Sequence, residues 1–407
     1  MLERVVLNTK ARSRRVPSIK SLLKDVDPNL PRIFVPWALQ HPQHLPAFFR
    51  LARAHRQTSR MRDEALERGM QVPPFLVLSV TSQCNLRCTG CFAGAVGITT
   101  GTPAARQPLK RQPLNLSDWH RVISEAAAVG VMGFVIAGGE PFLLPGIANL
   151  IRDFPDRMFL IFTNGTALHD RDYKILKSCR NTAVVVSLEG DRELTDERRG
   201  CGVYENALRS LDRLRATGVL TGLSITVGAA NIDYWTDEKR IDAMMDRSGP
   251  LAFFIEQIPT GEGGGVVVPS ISEEKRLRFR ETVLRYRGRE TGAAYLVHSP
   301  ADEEFFGGCV AAGRGFAHVT PAGDFTACPF SALATHNVST STVSEALAGS
   351  FFTMIRDNGS MLETHDHPCA LSANADKLET MAASLGAYRT DGANPASEHK
   401  LVELAVT

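Results

Sequence analysis

Long apolar runs are missing from this chain of 407 residues. None approaches the roughly 20 residues that span a bilayer, so no membrane-crossing segment is expected. The N-terminus lacks the apolar core of a secretory signal. A strong charge of either sign is missing too. The net charge of +2 points neither to nucleic acid nor to a strongly acidic partner, although a basic patch runs from Lys10 to Arg15. Cysteine is sparse, with eight in all, and unevenly placed. In a chain this long a tight group of thiols argues for metal rather than disulfides, and a cytoplasmic, reducing, oxygen-poor setting is expected. The rest of the composition, 43% hydrophobic and 22% charged, is that of a globular protein with room for two or three domains.

Three of the cysteines stand close together. Cys84, Cys88 and Cys91 lie in the run Thr-Ser-Gln-Cys-Asn-Leu-Arg-Cys-Thr-Gly-Cys-Phe with spacing C-x3-C-x2-C. They follow Phe75–Val80, an apolar run that reads as a buried strand. Thiolates are soft ligands for iron–sulfur clusters and zinc. Zinc in a closed site takes a fourth Cys or His, and the nearest downstream candidate, His120, is far along the chain. A 4Fe–4S cluster held by three cysteines fits better and leaves one iron open.

This motif resembles the signature of the radical S-adenosylmethionine (SAM) enzymes. The resemblance implies that the open iron chelates the amino and carboxylate groups of SAM. An electron from the cluster then cleaves SAM to methionine and a 5′-deoxyadenosyl radical, which takes a hydrogen atom from the substrate. The family often has an aromatic residue just before the third cysteine. Here Gly90 stands there, and Phe92, just after, is the implied adenine contact.

From Pro74 a strand–helix rhythm begins. Strands are expected at Phe75–Val80, Gly133–Ala137, Met158–Thr163, Ala183–Leu188, Leu223–Gly228 and Ala252–Ile258. Helices are expected at Ser117–Val129 with Ser117 as N-cap, Pro145–Phe154, Asp170–Cys179, Tyr204–Thr217 and Thr236–Arg247. Six such units match the open partial (β/α)6 TIM-type barrel of the radical SAM core, an α/β fold. Ligands of parallel βα folds gather at the C-terminal strand ends, where the cysteine motif lies. Residues 1–70 read as an N-terminal helical extension, with Pro46 opening a packing helix that Gly69 ends. Residues 71–300 read as the core. Gly97–Pro113 and Gly261–Gly265 read as surface loops.

Gly138-Gly139-Glu140-Pro141, after the second strand, resembles the family's GGEP motif, which binds the SAM ammonium. Glycines let backbone approach a ligand closely, and a carboxylate pairs with a cation. The family often follows a serine at the end of strand four with His-Asp-x-x-Arg-Gly. Here Ser187 fills the first place, Thr195 replaces the His, and Asp196, Arg199 and Gly200 match. By that resemblance Ser187 and Arg199 bind SAM, with Arg199 on its carboxylate. Arg198 is expected at the surface. Thr163-Asn164-Gly165 resembles a recurrent turn of the family. Glu189 and Glu256, at the ends of strands four and six, are expected as acid–base or adenine-contact residues, with Glu256 the candidate catalytic group. Cys179 and Cys201 read as inert thiols.

Three cysteines remain after residue 300. Cys309, Gly323 and Cys328 resemble the opening of the SPASM or twitch extension of radical SAM enzymes, with a hairpin over 316–328. The dense cysteine run that completes SPASM is absent, and only Cys369 follows. Residues 301–407 therefore read as a small α+β domain in which Cys309, Cys328 and Cys369 hold an auxiliary 4Fe–4S cluster. His365, His367 or a substrate group could complete its ligands.

The expected function is reductive SAM cleavage coupled to modification of a substrate, foremost a peptide or protein. Oxidative decarboxylation of a tetrapyrrole side chain and modification of a small molecule or lipid are alternatives. A non-catalytic Fe–S electron carrier is the reading from another class, but such a carrier needs neither Glu140 nor Arg199. A flavodoxin or ferredoxin is the expected reductant, and nothing points to a specific nucleic acid.

Overall fold

The computed structural model describes residues 30–96, 98–99, 111–258, 269–289, 294–363 and 369–391. The basic patch at 10–15, nearly all of the loop 97–113, Gly261–Gly265, His365 and His367 lie outside the described residues.

Seven strands, each followed by helical segments, lie side by side in chain order. They are β1 Phe75–Ser79, β2 Gly133–Ala137, β3 Met158–Thr163, β4 Thr182–Ser187, β5 Leu220–Val227, β6 Leu251–Glu256 and β7 Tyr295–Ser299. Every neighbouring pair is parallel. Parallel strands need cover on both faces and so read as continuous apolar runs, as in Ala183-Val-Val-Val186. Val184 and Val186 join the main core beneath the helices, while Ala183 and Val185 meet Leu251 on the opposite face. This is the expected α/β architecture with one strand more than six. The added β7 is a short Tyr-Leu-Val-His-Ser segment behind a highly charged helix, Glu273–Arg287.

The C-terminal segment continues the same sheet. β8 Phe316–Val319 pairs parallel to the outer edge of β1, with Phe75 opposite Phe316 and Leu78 opposite Val319. β9 Asp324–Thr326, β10 Leu333–Asn337 and β11 Tyr388–Arg389 follow antiparallel. The hairpin expected over 316–328 is β8–β9, turning at Gly323 with φ 86°.

Helix ends differ in detail from expectation. Asn115, not Ser117, caps helix Leu116–Val129. Its side chain accepts from the Ser117 and Asp118 amides, and Asp118 answers the Asn115 amide. Residues 192–199, to which the sequence assigned no helix, form one capped by Asp191.

The N-terminal helices Leu30–Gln40 and Leu45–Glu67 close the other end of the sheet. His44 Nε2 meets the Gly218 carbonyl at 2.7 Å, Arg50 donates to Pro155 O at 2.9 Å and Arg62 to Gly130 O at 2.8 Å. All three acceptors lie in turns that lead into strands. A cavity of about 510 Å³ at this end is lined by Trp37, His41 and Arg215 among others. None of the sequence motifs lines it.

Candidate functional site

The cysteine loop leaves β1 at the C-terminal end of the sheet. It is docked by backbone. Gly139 N–H donates to Thr81 O at 2.8 Å and Glu140 N–H to Gln83 O at 2.8 Å. Only glycine permits this approach. A Cβ at Gly139 would stand 2.0 Å from Gln83 O, and one at Gly138, where φ is 120°, 2.6 Å from Thr81 O. The glycine pair thus fits the loop into place, beyond any role at a ligand.

Glu140 is fully buried. Its carboxylate accepts from Thr163 Oγ1 at 2.7 Å and from the backbone N–H groups of Asn164 at 2.7 Å and Phe142 at 3.2 Å. Burial pushes its pKa up to about 7 against the pull of these donors. A cationic amine beside it would restore the ionised form. Asn164 also donates to Asn85 Oδ1 at 2.9 Å, and Asn85 to Thr166 Oγ1 at 2.7 Å. Thr163-Asn164-Gly165, which sequence alone left as a turn, is the bracket that ties Glu140 to the cysteine loop.

A second charged group faces the loop from β4 and helix Arg192–Arg199. Glu189 is 1% exposed. Its Oε1 accepts from Arg198 at 2.5 Å and from Arg199 Nε at 2.7 Å. Trp235 Nε1 and Asn231 Nδ2 donate to the Glu189 carbonyl. Burial raises the Cys88 thiol, and the adjacent Arg199 and Arg198 charges oppose that rise. Burial likewise pushes the Cys84 thiol up to about 11. Arg198 is therefore a site residue and not the surface residue expected. The Asp191-capped helix, missed in the sequence, turns both arginines toward the loop. Arg198 O also accepts from Thr89 N–H at 2.9 Å. Gln257, unnoticed in the sequence, reaches Gly90 O at 3.5 Å from the end of β6.

Other expected residues fall elsewhere. Ser187 ends β4 opposite Ser224 of β5 and is half-buried. Pro141 is buried in the turn after Glu140. Phe92 begins a helical turn, Phe92–Ala95, and packs on Phe330. Glu256 is 2% exposed and is held by His298 Nε2 at 2.9 Å and Arg276 Nε at 2.8 Å. Those partners tie β6 to β7 and to helix Glu273–Arg287. These ion pairs give Glu256 a packing role, and no hydrogen bond among the described residues joins its side chain to the cysteine loop.

The C-terminal thiols form a second group. Cys309 follows a short helical segment, Ala301–Phe306, Cys328 follows β9, and Cys369 caps the turn Ala370–Ala373. All three are buried. Burial raises every one of these thiols, and each of Cys328 and Cys369 adds to the rise at Cys309.

The first site has features that fit a cluster with a bound amino acid cofactor. Three thiols share it with two guanidiniums. A buried carboxylate sits beside a glycine cradle. Glu189 Oε2 and Arg198 Nε are buried without a hydrogen-bond partner among the described residues. Among those residues, no three His, Cys, Asp or Glu side chains gather closely enough for a single metal ion. A lone zinc draws thiolates to about 2.3 Å from one point. The irons of a 4Fe–4S cluster stand apart and take thiolates that are more widely spread.

Comparison with known proteins follows the same lines. Residues 78–246 match the model of the radical SAM superfamily. The chain is 28% identical over 234 residues to Fe-coproporphyrin III synthase of Methanosarcina barkeri, covering 56% of this chain and 55% of that protein. It thus spans about half the length of that relative. It is 26% identical over 281 residues to the mycofactocin maturase MftC of Mycobacterium ulcerans, covering 66% of this chain and 71% of that one. Its fold is similar to that of SuiB from Streptococcus suis. With S-adenosylmethionine bound, SuiB superposes with a TM-score of 0.57 at 17% identity, covering 72% of this chain and 70% of that one. SuiB with its precursor peptide SuiA gives a TM-score of 0.57 at 16% identity, covering 74% and 69%. No described helix is long and apolar enough to cross a membrane.

Proposed function

From the match of residues 78–246 to the radical SAM superfamily model we propose that the chain is an enzyme of this kind and that it modifies a peptide or protein substrate. When bound, the cluster and SAM supply one-electron cleavage of SAM and hydrogen abstraction from the substrate. Cys84, Cys88 and Cys91 would hold the cluster. Gly138, Gly139 and Glu140 would receive the SAM ammonium, with Glu140 kept in position by Thr163 and Asn164. Arg199 would take the carboxylate, its fork already oriented by Glu189. Arg198 keeps the first cysteine loop in register through Thr89.

The observation that carries the peptide reading is the position of the second cysteine group. It hangs on β8 and β9, in the same sheet as the first loop. A buried set of thiols joined so firmly to the core suits an auxiliary 4Fe–4S cluster on Cys309, Cys328 and Cys369. The names of MftC, a maturase, and of SuiB with its precursor peptide favour a peptide. A tetrapyrrole is the second reading, favoured by the name of the Methanosarcina relative.

The test is anaerobic. Reconstituted protein with dithionite and SAM should yield 5′-deoxyadenosine, and Cys88→Ala should yield none. Short peptides encoded beside the gene and iron-coproporphyrin are then offered separately. A mass change in the peptide alone supports the reading. Decarboxylated porphyrin with unaltered peptide overturns it.

A further inference from the structure

The strands β1 to β7 contain two side chains that ionise near neutral pH, Glu256 and His298. Both turn to the helix layer. There they bond each other at 2.9 Å and meet Arg276 and Phe279 of helix Glu273–Arg287. The opposite face of these strands therefore carries no charge. On β8, beside Val77, the one histidine of this face, His318, is buried between Ser79 and Thr326. Alternate strand residues point to the face, and the register sets them in rows. Ser187, Ser224, Phe253 and Val297 lie side by side, and Thr226, Ile255 and Ser299 form the next row toward the C-terminal strand ends. Phe253, Ile255 and Val297 are only half-buried, unlike Phe254 and Leu296 beneath the helices. At its lower end the face is closed. Phe162 and Phe253 meet edge to face at 5.4 Å, and Tyr295 meets Phe34 of helix Leu30–Gln40 at 6.4 Å. Leu251 lies against Gly222, where a Cβ would run into Leu251 O. At its upper end the face runs into the first cysteine loop. Ala137 leads to the Gly138–Gly139 pair that docks this loop, and Gln257, two residues past Ile255, reaches Gly90 O at 3.5 Å. The hydroxyls of Ser187, Thr226 and Ser299 bond to no other described residue.

We propose that this face receives the substrate residue that gives up hydrogen, and that the side chain it takes is neutral, aliphatic or aromatic. This rests on the radical SAM peptide reading above. An apolar side chain set over Phe162 and Phe253 lies next to the first cysteine loop. The free hydroxyls of Ser187, Thr226 and Ser299, nearer the strand ends, are placed for the peptide amides that carry it. A carboxylate or ammonium on this face would lose water and gain no opposite charge, which is strongly unfavourable. A tetrapyrrole propionate would meet the same penalty.

The experiment uses the full chain, anaerobically reconstituted, with SAM present. Binding of 4-fluorotoluene and 4-fluorobenzoate, a neutral and an anionic ring of like size, is followed by fluorine nuclear magnetic resonance. The neutral ring should bind at least about tenfold more tightly. Phe253→Ala should weaken it severalfold. Ile255→Arg should also weaken it and strengthen 4-fluorobenzoate about tenfold, and it carries the test if Phe253→Ala does not fold. Trp37→Ala, in the cavity at the other end of the sheet, should leave both rings unaffected. In a second arm, tandem mass spectrometry locates the altered residue in any peptide encoded beside the gene that changes mass. An altered aliphatic or aromatic residue supports the assignment. An altered Asp, Glu, Lys or Arg overturns it and leaves the peptide reading standing. So does ring binding that is indifferent to Phe253 and Ile255, or that is lost in Trp37→Ala. Decarboxylated porphyrin with untouched peptide overturns both.

Discussion

Phe92 and Phe330 meet with ring centroids 5.0 Å apart and planes inclined at 52°. Phe92 directly follows Cys91, and Phe330 lies two residues after Cys328. The contact joins the two cysteine loops side chain to side chain. A tilted aromatic pair contributes about 0.5–1.5 kcal/mol beyond the area it buries. Phe330→Ala should therefore loosen the helical turn after Cys91. Amide exchange at Ala95 and Val96, whose N–H groups close that turn on Cys91 O and Phe92 O, should quicken severalfold. Unchanged exchange at both amides would show that the rings touch without support.

Gly139→Ala tests the docking of the cysteine loop. The added Cβ would stand 2.0 Å from Gln83 O, so one backbone must move. Iron bound by the first site should drop sharply and 5′-deoxyadenosine with it, while C-terminal iron persists. An active Gly139→Ala protein would mean that the loop tolerates displacement.

Glu189 holds two arginines from inside the fold. Removing one partner of a buried ion pair typically costs about 3–5 kcal/mol, because the other charge is left behind. Glu189→Gln should lower the midpoint of chemical denaturation clearly. Arg198→Ala should also reduce SAM cleavage, since its side chain carries the Glu189 pair and reaches the Gly90 carbonyl beside Cys91. Full activity in Arg198→Ala would return that side chain to the surface role read from the sequence.

The imidazole of His318 bridges Ser79 Oγ at 2.8 Å and Thr326 Oγ1 at 2.7 Å. Burial lowers its pKa from 6.5 to about 3. The unfolded chain therefore binds a proton that the folded one refuses between those values. Stability from this group is complete above pH 6.5 and falls as the pH drops toward 3, at up to about 1.4 kcal/mol per pH unit. His318→Gln should flatten the acid limb of the stability profile. An identical limb in wild type and variant would assign the loss to other groups.

The parts of the fold that repeat were readable. The apolar runs of β1 to β6 and the helices between them follow from parallel packing, and the cysteine and glycine motifs land at strand ends as the fold demands. What escaped was set by distant partners. β7 is five residues long and half polar, and it becomes a strand because β6 lies beside it. Arg198 looked solvated because its neighbours Glu197 and Arg199 are also charged. Its burial depends on Glu189, nine residues earlier, and on Gly90, across the site. Glu256 stood at the right strand end but faces the helix layer, and strand position alone does not say which face a terminal side chain takes when both are covered.

The pairing of β8 with β1 has a consequence for how such proteins can be rebuilt. Phe75 to Leu78 take hydrogen-bonded neighbours on both sides, and one of those neighbours comes from beyond residue 315. A piece cut out at the end of β7 would leave the strand that launches Cys84 with a bare edge, open to pairing with another chain. A C-terminal segment borrowed from a relative would have to offer a parallel strand in the same register before it could deliver its own ligands. Chimeras made at that junction are therefore expected to aggregate or bind metal poorly unless residues 316–319 travel with the barrel.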